Sequence, residues 1–177
     1  MNKKAMNFNK WIHPKTMECD YRTPDFVLNY IERFWNSKIT HDGACNFENA
    51  VAKPFDLFST EVLPKHSILF VNPPWDTKSV KLFTEAAVWH YQKSPTSKIV
   101  FLLPNKLSEV GWVDEINKRF VKIIMLGGRL NFSGPNSVKQ GASRWGSFLG
   151  VIGYNKYGKT YFDSIKISEL KEMAKNG

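Results

Sequence analysis

Cysteine is scarce in this chain: two residues, Cys19 and Cys45, in a length of 177. Two thiols make neither a disulfide framework nor a four-ligand zinc centre, so no metal and a reducing, cytoplasmic setting are expected. No apolar run approaches the roughly 20 residues that span a bilayer, and the first residues lack the apolar core of a signal peptide. A membrane role is therefore not expected. No G-x-G lies near the one acidic strand end, Asp42, so the commonest glycine-rich nucleotide loop is missing too. Acidic residues are absent over a long interval. From Lys118 to Phe162 there are Lys118, Arg119, Lys122, Arg129, Lys139, Arg144, Lys156 and Lys159 and no Asp or Glu.

What is present fits one domain with a sizeable core. Aromatic residues make up 14% of the chain, enough for both packing and base stacking, and the net charge is +9. An excess of that size predicts an acidic partner, nucleic acid first. The interval 118–162 holds nearly all of it, and a solvated face normally mixes both signs, so a phosphate-facing surface is predicted there. Within it, Asn131 to Gly146 reads as a long loop rich in Gly, Ser and Asn. Its aromatics Phe132 and Trp145 lie among Arg129, Lys139 and Arg144, a mixture suited to nucleotide contact.

The stretch Ile68-Leu69-Phe70-Val71-Asn72-Pro73-Pro74-Trp75 organises the rest. Four apolar residues without a polar break read as a strand buried on both faces. Two prolines, neither able to donate a backbone hydrogen bond, end it. Pro73 keeps Asn72 extended, so its amide is presented at the strand's carboxyl end, where open α/β sheets bind ligands. Asn72-Pro73-Pro74-Trp75 resembles the [DNS]-P-P-[YFW] tetrapeptide of S-adenosylmethionine-dependent amino-methyltransferases. The resemblance implies that Asn72 and the Pro73 carbonyl each accept an amine N–H, that Pro74 fixes the turn, and that Trp75 stacks on the base. A rigid Pro-Pro turn after a core strand is the alternative.

Earlier in the chain, Tyr21-Arg22-Thr23-Pro24 precedes an apolar stripe of Phe26, Tyr30, Ile31 and Phe34, which predicts a helix from Pro24 to Trp35. Thr23 is its expected N-cap and Pro24 its first residue. Ile39 to Asn46 reads as a short strand into a turn of small residues, Asp42-Gly43-Ala44. An Asx turn explains Asp42 as well as a ligand does. Asp56 suits either a ribose or adenine contact or a surface turn. After Trp75, a helix is predicted over Thr77 to Tyr91, a buried strand over Lys98 to Pro104, a helix over Val110 to Phe120, and strands over Val121–Leu126 and Ser147–Tyr154. Strands separated by helices predict a doubly wound, mostly parallel α/β sheet flanked by helices.

Thr-Pro before a helix, then Asp42-Gly43-Ala44 with Asn49-Ala50, then Asn72 to Trp75, in that order, resembles the phage-type, Dam-like DNA N6-adenine methyltransferases over roughly residues 18 to 155. The family usually has tyrosine at the position of Trp75 and proline or alanine at that of Gly43. The resemblance implies a Rossmann-like methyltransferase fold and S-adenosyl-L-methionine as cofactor, met by Thr23, Pro24, Asp42, Gly43, Ala44 and Asp56. It implies adenine N6 of DNA as the target, flipped or single-stranded, and the cytoplasm of a prokaryotic or phage-infected cell. RNA, N4-cytosine or protein glutamine are alternative targets of the same tetrapeptide, and a catalytically silent nucleic-acid-binding protein is the other class. The expected organisation is a basic arm over 1–17, a methyltransferase domain over 18–163 and a helical tail over 164–177.

Overall fold

A computed structural model of the chain describes residues 22–45, 50–106, 119–133, 139–153 and 160–176, with the backbone alone at 139–142. The basic arm, Asn49 and most of the expected helix 110–120 lie outside these residues. Phe120, expected to end that helix, opens a strand instead.

Nine strands and three helices are described. In chain order they are α1 (Asp25–Trp35), β1 (His41–Asp42), β2 (Lys53–Pro54), β3 (Ile68–Val71), α2 (Thr77–Lys93), β4 (Lys98–Pro104), β5 (Phe120–Gly127), β6 (Asn131–Ser133), β7 (Lys139–Ala142), β8 (Ser147–Ile152), β9 (Tyr161–Lys166) and α3 (Ile167–Lys175). Seven strands form one sheet in the order β2-β1-β3-β4-β8-β5-β9. The pairs β1/β2, β1/β3, β3/β4 and β5/β9 are parallel. β8 runs antiparallel to both β4 and β5. The sheet is thus mixed α/β and mostly parallel, with one reversed strand.

β3 is apolar throughout, and β4 and β8 are apolar after their first residues, Lys98 and Ser147, because both faces are covered. Ile68 and Phe70 of β3 join Val100, Leu102 and Leu149 in a core sealed by Val27 and Ile31 of α1 and Ile167 and Leu170 of α3. Leu69 and Val71 point the other way, with Ile99, Phe101, Leu103 and Phe148, under Val80, Ala86 and Ala87 of α2. Period-two alternation of the side chains produces both cores from one uninterrupted apolar run.

Three expectations need correction. The 131–146 interval is not one long loop, because β6 and β7 pair in it as an antiparallel hairpin. The strand β9 was not legible: Tyr161 and Phe162 are 70% and 61% exposed, so burial imprints no pattern on this edge. β9 also runs to Lys166, so the C-terminal helix starts at Ile167 rather than Ser164, and it is built into the α1-side core rather than appended to it.

Candidate functional site

The chain leaves β1 towards β2 on one side and returns to β3 on the other. The connections therefore part at β1 and β3, and a crevice outside the carboxyl ends of two such strands is where open α/β sheets take ligands. The carboxyl ends of β1, β2, β3, β4 and β5 share one edge with the amino end of the reversed β8. That edge gathers Asp42 to Ala44, Asp56, Asn72 to Trp75, Asn105 and Lys106, Arg129, and Arg144 to Gly146.

Asn72 follows β3 directly and is half-buried. Its Nδ2 donates to Thr23 Oγ1 at 3.2 Å, and its Oδ1 accepts the indole Nε1–H of Trp75 at 3.0 Å. Thr23 is buried and does not cap α1. The half-in residue is Pro24, with φ −58° and ψ 134° and no side-chain cap. Thr23 and Pro24 each sit one position earlier than expected relative to the helix, which frees the Thr23 hydroxyl for Asn72. Pro73 is buried and Pro74 half-buried. Asp76 then takes over the chain, its Oδ1 accepting the Ser79 amide at 2.9 Å as the N-cap of α2. The tetrapeptide is thus clamped between a strand end and a capped helix.

Trp75 packs edge-to-face on Phe132, with ring centroids 5.4 Å apart and planes at 82°. Phe132 lies on β6, whose Ser133 carbonyl accepts the Arg22 amide at 2.9 Å. The hairpin therefore reaches across to the residues just before α1, beside the tetrapeptide. Sequence reasoning had joined Phe132 to the basic residues, but not to Trp75.

Asp42 is 5% exposed, and both its oxygens are engaged: Oδ1 accepts from Ala44 N–H at 3.2 Å and Oδ2 from Val51 N–H at 3.1 Å. Burial pushes its carboxyl above the usual aspartate range, and those two amides pull against the rise. The Ala44 bond is an Asx turn, so Asp42 braces its own loop. Gly43 is small for the core's sake: a Cβ there would lie 2.7 Å from Leu57 Cδ1. Cys45 Sγ donates to the Asp42 carbonyl, and burial with the Asp42 charge pushes the thiol up to about 12. Asp56, exposed two residues beyond β2, accepts the Phe58 amide at 2.9 Å and so closes a surface turn.

The basic residues divide. Arg119 is used inside the fold, donating to Thr84 Oγ1 at 2.9 Å and to Glu85 at 3.1 Å. Lys122 pairs with Asp163 at 3.3 Å and covers the Phe34 ring. Neither belongs to a phosphate-facing surface. Arg129 and Arg144 are exposed. Trp145, 41% exposed, carries the Arg144 guanidinium 5.5 Å and the Lys106 ammonium 5.4 Å from its ring centre. Ser143 Oγ donates to the Trp145 carbonyl and shapes that turn. Lys106 was missed by sequence reasoning, although Pro104 marks the end of β4 and so the edge on which Lys106 falls. The Lys139 side chain and Lys118, Lys156 and Lys159 lie outside the described residues.

The hydroxyl of Ser147, at the amino end of β8, is buried with no hydrogen-bond partner among the described residues. A cavity of about 420 Å³ lined by Glu32, Arg33, Lys38 and Ala174 lies at the other end of α1, away from Thr23. Among the described residues no cluster of His, Cys, Asp or Glu has the make-up of a metal site, and no helix is long and apolar enough to cross a membrane. No protein-family model and no curated protein matches the chain.

Proposed function

We propose that this chain is an S-adenosylmethionine-dependent methyltransferase of Rossmann-like fold that methylates an exocyclic amine of a nucleic-acid base, adenine N6 of DNA in the first instance. The observation that carries the reading is the Asn72 amide, held by two hydrogen bonds at the carboxyl end of β3, where the connections part. The donor chemistry fits the cofactor. Asp56, exposed beyond the end of β2, supplies a carboxylate for ribose hydroxyls, and Asp42 at the end of the adjacent parallel β1 braces the small residues Gly43 and Ala44 beside it. The start of α1 after Thr23 and Pro24 favours a carboxylate. When bound, the cofactor supplies a methyl group already activated by its sulfonium.

The chain's own contribution is positioning. An exocyclic amine is a poor nucleophile because its lone pair is delocalised into the ring. Asn72 Oδ1 has two lone pairs, one taken by Trp75, and the second accepts an amine hydrogen. The Pro73 carbonyl is the second acceptor in this reading. Together they hold the amine with its lone pair available, an orientation effect. Trp75 and Phe132 offer aromatic faces for the base. Arg129, Arg144, Lys106 and Trp145 on the same edge suit the phosphates and bases of an extruded or single strand.

Nucleoside mass spectrometry of DNA from cells expressing the chain tests this. N6-methyladenine is expected, and Asn72→Ala abolishes it while retaining cofactor binding by calorimetry. Labelled cofactor with DNA, RNA and protein mixtures separates the alternative targets, and absence of label in all three refutes the proposal. One observation favours a silent nucleic-acid-binding protein instead: Asp42 is consumed by its own loop, and Gly43 is filled by Leu57. In that case the cofactor gives no heat on titration.

A further inference from the structure

Resting on that reading, we infer that Trp75 has a second role, distinct from stacking: its indole N–H sets the hydrogen-bond polarity of the Asn72 amide and so selects a substrate group that donates hydrogen. An asparagine amide has an acceptor end and a donor end of almost the same shape, and its hydrogen-bond partners decide which faces where. The two partners of Asn72 are not equivalent. A threonine hydroxyl both donates and accepts, so Thr23 tolerates either end of the amide. An indole nitrogen only donates, so only an acceptor satisfies it. With Trp75 Nε1 at 3.0 Å from Asn72 Oδ1, the reversed amide would set two donors against each other. Of these two partners it is therefore Trp75 that holds the oxygen in its position, and Thr23 Oγ1 then serves as acceptor for Nδ2 at 3.2 Å. The edge-to-face contact with Phe132 in turn holds the indole plane.

The consequence is selectivity. An oxygen fixed in place accepts from an amine, as on adenine or cytosine, and repels a ring carbonyl. A flipped amide presents N–H groups and welcomes the carbonyl. Phenylalanine at this position has no donor, and a tyrosine hydroxyl, which donates or accepts, leaves the choice open. Trp75 is in this respect a positioning residue that acts through Asn72.

Replacing the indole N–H by sulfur, with 3-benzothienylalanine at position 75, removes the donor and keeps the ring. The Asn72 side-chain amide is followed by 15N NMR, assigned by its disappearance in Asn72→Ala. One sharp NH2 pair is expected in the natural protein, and a broadened or doubled pair in the analogue. Methyl transfer is expected to lose about tenfold in kcat, the size of one well-made hydrogen bond, with KM for DNA and cofactor unchanged. An unchanged amide spectrum overturns the inference, and so does a changed spectrum with unchanged kcat. If the natural protein transfers no methyl group, the proposed function fails, and the catalytic role of Trp75 with it. The spectrum still reports separately whether the indole fixes the amide. Trp75→Phe, compared with the analogue, separates loss of the donor from loss of ring area.

Discussion

Gly43→Ala separates two reasons for a small residue beside the candidate cofactor site: room for a ligand, or room for the core. A Cβ built at this position lies 2.7 Å from Leu57 Cδ1, 3.1 Å from Leu57 Cγ and 3.2 Å from Leu69 Cδ1. Carbon atoms pack best at about 3.5–4.0 Å, so Leu57 must retreat by about 1 Å. It has little freedom to do so. Leu57 and Leu69 are both buried in the α2-side core, and the Leu57 carbonyl is hydrogen-bonded to His90 Nε2 at 2.9 Å. Overpacking of this kind costs about 1–3 kcal/mol. Alanine recovers about 0.4–1 kcal/mol by restricting the unfolded chain, because the backbone here is not in the left-handed region. A net loss of about 1–2 kcal/mol is therefore expected, read by urea denaturation as a lower midpoint at unchanged slope. Leu57→Ala in the same chain relieves the clash, so the double variant should be destabilised by less than the sum of the single ones. A Gly43→Ala protein as stable as the parent would refute the reasoning and return Gly43 to the ligand.

Other outcomes follow from groups nearby. His90 is fully buried, and burial lowers its basicity against the Leu57 carbonyl bond, which raises it. The unfolded chain then takes up the proton first, so stability present above the ordinary value of 6.5 is lost as pH falls below it. Urea midpoints at a series of pH values should drop through that window, and His90→Gln should flatten the drop. Cys45, with its thiol pushed up to about 12, carries about a thousandfold less thiolate than an ordinary cysteine. In a Cys19→Ser background, slow labelling by a disulfide reagent is expected at pH 8, and prompt labelling contradicts the burial. Trp145→Ala should weaken single-strand binding by about 1–3 kcal/mol per stacked base with no change in melting temperature. Arg144→Ala should lower the slope of log affinity against log salt by about 1 in the same titrations, and an unaltered slope removes it from the phosphate surface.

How much was legible in the sequence follows from where burial leaves a pattern. The strand over Lys98–Pro104 has the bounds its apolar run and closing proline prescribe, and the helix expected over Thr77–Tyr91 runs two residues further to Lys93. Asn72 stands at a carboxyl end because two prolines stop β3, a purely local constraint. β9 escaped notice because an exposed edge needs no apolar alternation, and the hairpin β6–β7 because its ends are polar and short.

The sequence by itself determined the buried strands, the helix that follows Trp75 and the residue types gathered at the tetrapeptide, since each depends on periodicity or on proline's missing donor. Tertiary structure alone decided which partners those side chains take. Thr23 meets Asn72 across 49 positions of chain, Phe132 meets Trp75 across a hairpin, and Arg119 is drawn inward to Glu85. No local pattern encodes such pairings, because they arise from strand order and the turning of one helix end towards one sheet edge, and hydrogen bonds and ring contacts form only between groups brought within a few ångströms.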